Sequence, residues 1–228
     1  MRQWRHHRPG YDRSRQDFEE GEAVMKPINA PWKSNRPRRC VKSSSGQSLV
    51  EFAMTLPLFL LMVLGVIEVS YALYDQHIIT RLSREGSNLI SRDTTLQDAG
   101  TAMISVASPP VNFQGNGSKL IFSAIRRATS GRNAGQPILY QRYEIGGLAA
   151  QSLLTTRGTG AFGGPPDFVA LDPNNDVALQ ITNLPSSVAL SNSGLIFLTE
   201  VYNTHALISP FEKFGLRLPA TLYSSAYF

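Results

Sequence analysis

The chain has 228 residues, a formal net charge of +5 and one cysteine, which is enough length for one domain with an anchor or for two small domains. Residues 1–46 carry 11 Lys/Arg against 5 Asp/Glu, and the remaining residues carry 11 against 12. The net positive charge therefore belongs to the amino-terminal segment, and this argues against a nucleic-acid partner. Cys40 lies in the same segment, so residues 47–228 contain no thiol and cannot form an internal disulfide.

An apolar stretch follows the basic segment. Phe52 to Ile67 is free of charge, and the stretch reaches Tyr74 if Glu68 is tolerated, giving a helix of about 35 Å. Its aliphatic residues favour insertion by about 3 to 6 kcal/mol, whereas one central charge costs about 2.5 to 3.5. We therefore predict a membrane helix over 52–74, with the basic leader in the cytoplasm and the rest exported.

The helical pattern continues beyond this stretch. Ile78, Leu82 and Leu89 recur at helical spacing, with charged residues between them. We predict a single helix over 47–91 whose outer half is amphipathic and packs on the following domain, with Gly86 allowing close approach.

The junction between leader and helix places a glycine five residues before an isolated carboxylate. Gly46 and Glu51 hold these positions at the edge of the apolar stretch. One interpretation is a helix cap, because Ser48 and Glu51 fit the S-x-x-E capping box. Since a charge at a membrane boundary is costly, another interpretation is a role in assembly.

Other interpretations of the apolar stretch remain open. A secretory signal peptide would place its core at Leu56 to Val69 and its cleavage site after Ala72. An uncleaved signal anchor could instead carry a membrane-tethered enzyme or ligand-binding domain.

Several short motifs around the junction occur in a characteristic order. They are Gly46-Gln47-Ser48-Leu49-Val50-Glu51-Phe52-Ala53, Leu56-Pro57-Leu58, Leu64-Gly65-Val66-Ile67-Glu68, Tyr74 and Arg84-Glu85-Gly86. This order resembles the amino-terminal signature of TadE-like pseudopilins, minor components of bacterial tight-adherence (Flp, type IVc) pili. The sister TadF group shares much of it.

The resemblance implies a mechanism and a set of partners. A prepilin peptidase would cut between Gly46 and Gln47 at the cytoplasmic face of the inner membrane. Glu51, beside Phe52, would then face the new amino terminus of a neighbouring subunit and serve assembly. The implied partners are the peptidase, the major pilin, other minor pseudopilins, the pilus assembly platform and inner-membrane lipid, and the implied outcome is surface adhesion.

The remainder, residues 92–228, is predicted to be an exported β-rich domain, giving an α+β fold with an antiparallel sheet. Short runs of Ile, Leu, Val, Phe and Tyr are separated by Gly, Asn and Pro. The predicted strands are 119–126, 138–145, 177–181, 195–202 and 217–228. The glycine-rich stretch 155–168 is predicted to be a surface loop.

Catalytic and cofactor motifs are weak in this domain. Gly158 to Gly163 spells G-x-G-x-x-G, but Pro165-Pro166 follows where a phosphate-binding helix would begin. Asp172 opens an incomplete EF-hand loop, which favours an acidic turn. His77 and His205 have no cysteine near them, and we expect both to be surface or packing residues. We therefore expect no enzyme activity, no metal and no cofactor.

Overall fold

A computed structural model describes residues 45–186, 188, 190–191, 194–207 and 219–228, so nearly all of the predicted leader lies outside the described residues. The fold is α+β, as predicted. Within the described residues it consists of two α-helices and four β-strands, which are α1 Ser45–Ile90, α2 Leu96–Val106, β1 Ser118–Arg127, β2 Pro137–Ile145, β3 Leu195–Thr204 and β4 Thr221–Tyr227.

The strands form one antiparallel sheet in the order β2-β1-β3-β4. The centre of the sheet is the β1–β3 pair, in which Phe122 lies opposite Thr199. β1 and β2 shift register between Ala124 and Ile125, where a bulge interrupts the ladder. The antiparallel arrangement confirms the predicted fold class.

Helix α1 is one continuous element of 46 residues, which confirms the single helix predicted from the periodicity. It runs through Pro57 without interruption and is about 69 Å long at the usual helical rise. None of its residues from Gly46 to Ile67 is buried, whereas from Glu68 onward one face is covered by the domain. The helix thus has a bare half and a packed half.

The packed half of α1 and helix α2 cover one face of the sheet. The core between them includes Ile79 and Leu82 from α1, Met103 from α2, and Phe122 and Val201 from the sheet, all buried. At Gly86 a Cβ atom would lie 2.7 Å from Thr199 Cγ2. This distance confirms that the glycine permits a close approach of helix and sheet.

A folded loop covers the opposite face of the sheet. Ile125, Leu139 and Leu198 form a second core there with Leu154 and Ile181 from the loop segments. Hydrogen bonds such as Ile181 N to Pro137 O, 2.9 Å, tie the loop to the outer edge of β2. The sheet is therefore buried on both faces along its centre.

One helix was missed, one predicted strand was largely wrong, and another lies partly outside the described residues. Helix α2 was not predicted; its N-cap is Thr95, whose side chain accepts a hydrogen bond from Asp98 N. Of the strand predicted over 177–181, Val177–Leu179 is a 3₁₀ turn, because the Asp176 side chain caps Ala178 N at 2.9 Å, and Gln180 and Ile181 form isolated bridges. Of the strand predicted over 217–228, Thr221–Tyr227 is observed and residues 217–218 are not described.

Candidate functional site

The four residues predicted for processing and assembly lie together in the first two turns of α1. Gly46, Gln47, Glu51 and Phe52 are all exposed, and a Cβ atom at Gly46 would meet nothing within 4 Å. Gln47 Nε2 donates a hydrogen bond of 3.0 Å to Glu51 Oε1. The helix begins at Ser45, so Ser48 lies inside it and is not the N-cap that the capping-box interpretation requires.

The bare half of α1 presents a long apolar surface. The segment 46–67 is about 33 Å long, close to the hydrocarbon thickness of a bilayer. Within the described part of the chain, one helix is long and apolar enough to cross a membrane, and it is this one. More than half of the surface is exposed for Leu49, Val50, Phe52, Met54, Leu58, Phe59, Leu60, Met62 and Val66.

Glu68 marks the point where the bare half ends. The sequence predicts that this residue is a charge that lipid has to tolerate, with the span reaching Tyr74. In the structure Glu68 is only 1% exposed, and its Oε1 lies 3.4 Å from His205 Nε2. Protein contacts rather than lipid therefore surround this carboxylate, and the bare segment stops at Ile67.

His205 lies between two carboxylates of α1. It follows the last residue of β3, and its Nδ1 is 2.6 Å from Asp75 Oδ2. Asp75 and His205 are both buried, so His205 is a buried polar contact within the domain. The seven-residue spacing of Glu68 and Asp75, which puts both on one helix face, is the sequence signal for this cluster. The described residues contain no group of three side chains suited to a metal ion.

A third buried carboxylate, Glu200, lies at the centre of β3 on the loop-covered face. It is fully buried and accepts hydrogen bonds from Leu153 N, 2.9 Å, and from the hydroxyl groups of Tyr202 and Tyr223, both 3.2 Å. The Ser152 hydroxyl donates to its other oxygen. Burial, together with this carboxylate, raises the pKa of both tyrosines well above the ordinary range.

The two weak motifs of the sequence serve as turns. Gly158 N donates to Ala178 O at 2.9 Å, and Phe162 forms a bridge with Ala170, so the glycine-rich stretch belongs to the loop that covers the sheet. No described α-helix follows it. Asp172 Oδ1 accepts a hydrogen bond from Asn175 N at 3.2 Å, which closes an acidic turn.

These features define an α+β protein in which one apolar helix, compatible with a membrane anchor, is also part of the domain core. Residues 46–88 match the family model of TadE-like protein, and this match confirms the resemblance stated for the junction. The match spans almost all of α1, so the similarity to TadE-like proteins lies in this helix. No curated protein and no solved structure matches the chain.

Proposed function

We propose that this chain is a minor pseudopilin of a tight-adherence pilus, inserted in the inner membrane and needed for pilus assembly and surface adhesion. The observation that carries the proposal is the bare half of α1. A lipid-length apolar helix begins beside Glu51 and continues without a break into the core of the domain. The TadE-like match covers the same residues.

The bare half suits lateral packing in a bilayer. Its apolar side chains face outward on all sides, which is the pattern of a helix that lies in lipid or among other apolar helices. Glu51 near its start is costly to bury alone but becomes favourable beside a cationic amino terminus. Such an amino terminus would come from a processed neighbour, either the major pilin or another minor pseudopilin on the assembly platform.

Processing by a prepilin peptidase requires access to the bond between Gly46 and Gln47. That bond lies in the first turn of α1, so the turn has to unwind before a peptidase can bind it in an extended form. Glycine lowers the cost of this unwinding by about 0.5–1 kcal/mol relative to alanine. A bulky residue at position 46 would oppose both the unwinding and the fit to a narrow cleft.

The experiment is to express the full chain with its cognate peptidase and determine the mature amino terminus by mass spectrometry. The wild-type chain is expected to begin at Gln47, and Gly46→Phe is expected to keep its leader. Glu51→Ala is expected to be processed but to abolish pili seen by electron microscopy. Glu85→Ala, which removes a carboxylate from the packed half of the same helix, is the matched control.

The alternative interpretations give different results in the same experiment. A secreted protein cut after Ala72 would begin at Leu73, and a signal anchor carrying an enzyme or ligand-binding domain would keep its leader. Either result with wild-type protein, or normal pili from Glu51→Ala, would contradict the proposed function.

A further inference from the structure

A cleft of ≈ 590 Å³ opens on the loop-covered face of the sheet. This volume lies within the range of about 300–1,000 Å³ found for small-molecule sites. Lys119 from β1 and Arg142 and Glu144 from β2 line one side. Residues 150–152, 154–156 and 158–159 and the side chain of Phe162 complete the lining, and Arg157 is not part of it. The cleft belongs to the exported domain and has no part in the proposed processing or assembly.

Arg142 has hydrogen-bond donors that nothing in the described structure satisfies. Its Nε and Nη2 atoms are buried without a partner, and no other described residue has two such side-chain atoms. These two nitrogens share one edge of the guanidinium, the edge that binds a carboxylate through two parallel hydrogen bonds. Ser123, directly opposite Arg142 in the β1–β2 ladder, also has a buried hydroxyl without a partner.

The carboxylates near Arg142 are already engaged by other donors. Glu200 accepts from a backbone N–H and three hydroxyl groups. Glu144 is paired with Lys119 Nζ at 2.8 Å. Burial lowers the pKa of the Arg142 guanidinium, and the charges of Glu144 and Glu200 oppose this effect. A buried cation with free donors beside an open cleft is unusual unless a ligand supplies the acceptor.

We propose that this cleft binds a small carboxylate-bearing molecule. Because the Nε and Nη2 atoms of Arg142 are closed to solvent in the ligand-free structure, its guanidinium rotates toward the cleft on binding and holds the carboxylate through its Nε–Nη2 edge. The local charges favour a monoanion over a phosphate dianion. Lys119 and Arg142 are balanced by Glu144 and Glu200, so a second negative charge on the ligand gains little net attraction and costs more to remove from water. Phe162 provides an apolar wall for the body of the ligand.

Isothermal titration calorimetry of the full chain in detergent micelles tests this proposal. The titrants are glucuronate as a hydroxylated carboxylate, acetate as a bare carboxylate, glucose as the neutral counterpart, and phosphate. Glucuronate is expected to bind and acetate to compete with it, whereas glucose is expected not to bind and phosphate to bind more weakly. An absence of heat with both carboxylates, or phosphate binding at least as tight as theirs, would overturn the proposal.

Variants distinguish a binding role of Arg142 from a structural one. Arg142→Gln is expected to weaken glucuronate binding by at least about tenfold, since it removes a charged bidentate partner. Its melting temperature without ligand is expected to stay the same or rise, because an unpaired buried cation is lost. Arg142→Lys keeps the positive charge but lacks the two parallel N–H donors of the guanidinium, so it is also expected to bind glucuronate weakly. This variant replaces Arg142→Gln in the test if Arg142→Gln folds poorly. Arg157→Gln, an exposed arginine of the neighbouring loop, is the matched control. Unchanged affinity in both Arg142 variants would refute the site.

Discussion

His205 is a side chain through which the end of β3 contacts helix α1. Its two ring nitrogens face Asp75 and Glu68, and all three side chains are buried. Removing the histidine takes a buried polar partner away from each acidic side chain, and losing one member of a buried pair costs about 3–5 kcal/mol in comparable cases. The cluster therefore matters for how firmly the end of β3 is held to α1.

Replacing His205 by alanine is expected to lower the stability of the domain strongly. Two buried carboxylates on one face of α1 would then lack their shared partner. We expect a fall in melting temperature on the order of 10 °C by circular dichroism of the full chain. His77→Ala, an exposed histidine on the same helix, is the control and should melt like the wild type. Equal melting temperatures for the two variants would show that the cluster contributes no stability.

The Glu200 site gives the domain a defined response to alkaline pH. Burial and the adjacent carboxylate raise the pKa of Tyr202 and Tyr223 above the value of about 10 for a free tyrosine. A pKa that is higher in the folded than in the unfolded state gives stability that is fully present below about pH 10 and is lost as pH rises further. The denaturant concentration at the midpoint of unfolding is therefore expected to decrease as the pH rises above 10.

Tyrosine ionisation can be followed by absorbance at about 295 nm. In the folded wild-type chain at pH 11, we expect these two tyrosines to remain protonated and to ionise only on unfolding. The Glu200→Gln variant is expected to ionise them at lower pH, because the neighbouring negative charge is removed. Complete ionisation of every tyrosine at pH 11 while the circular dichroism spectrum remains folded would contradict this expectation.

At the scale of single elements, α1 depends on one small residue for its contact with the sheet. A methyl group at Gly86 would lie 2.7 Å from Thr199 Cγ2 and 3.1 Å from Phe122 Cε1. Alanine is intrinsically better than glycine in a helix by about 1 kcal/mol, whereas overpacking a filled core costs about 1–3 kcal/mol. At Gly86 the cost of overpacking is therefore larger than the gain in helix propensity.

We therefore expect Gly86→Ala to destabilise the protein despite its better helix propensity, and Gly86→Val to do so more. Urea denaturation monitored by circular dichroism provides the measurement. Asn88→Ala places the same residue at an exposed position of the same helix and should be neutral or slightly stabilising. A Gly86→Ala variant that is more stable than the wild type would mean that the helix and sheet adjust freely here.

The elements also show what the sequence can predict. Helix α1 and most strands were predicted because their apolar residues repeat strongly at helical spacing or form β-branched and aromatic runs. Helix α2 escaped detection because two of its four buried positions are Ala99 and Gly100, whose small side chains give little hydrophobic signal. The 177–181 run looked like a strand, but the local cap by Asp176 decides its conformation.

The sequence also predicts only part of the site, for a different reason. Gly46 and Glu51 could be found because a local pattern in the chain carries them. The partners of Glu68 and Glu200 could not, since His205 and Ser152 reach them only through the tertiary fold. Contacts between residues far apart in sequence leave no periodic trace in a single chain.

On the scale of the whole molecule, the bare half and the domain share one helix but not one core. Every α1 residue in the buried core lies beyond Glu68, beginning with Ile79. The bare half contributes no buried apolar side chain. We therefore expect the domain to fold without the residues that precede Glu68.

A truncated chain of residues 68–228 is accordingly expected to be soluble, folded and monomeric. Size-exclusion chromatography and thermal denaturation provide the test, without detergent. The control is a chain of residues 92–228, which lacks Ile79, Leu82 and Ile90 and is expected to aggregate because the sheet face loses its cover. Aggregation of the 68–228 chain as well would indicate that the bare half contributes to folding.

The continuity of α1 also has a mechanical consequence. From Ile67 to Ile90 the helix extends about 35 Å beyond the bare segment, and this part of it packs against the sheet. A change of about 10° in the tilt of α1 within a bilayer would displace Ile90 sideways by roughly 6 Å. If the bare half lies in a bilayer as proposed, a change in the tilt of that half would therefore be transmitted to the domain as a sideways displacement.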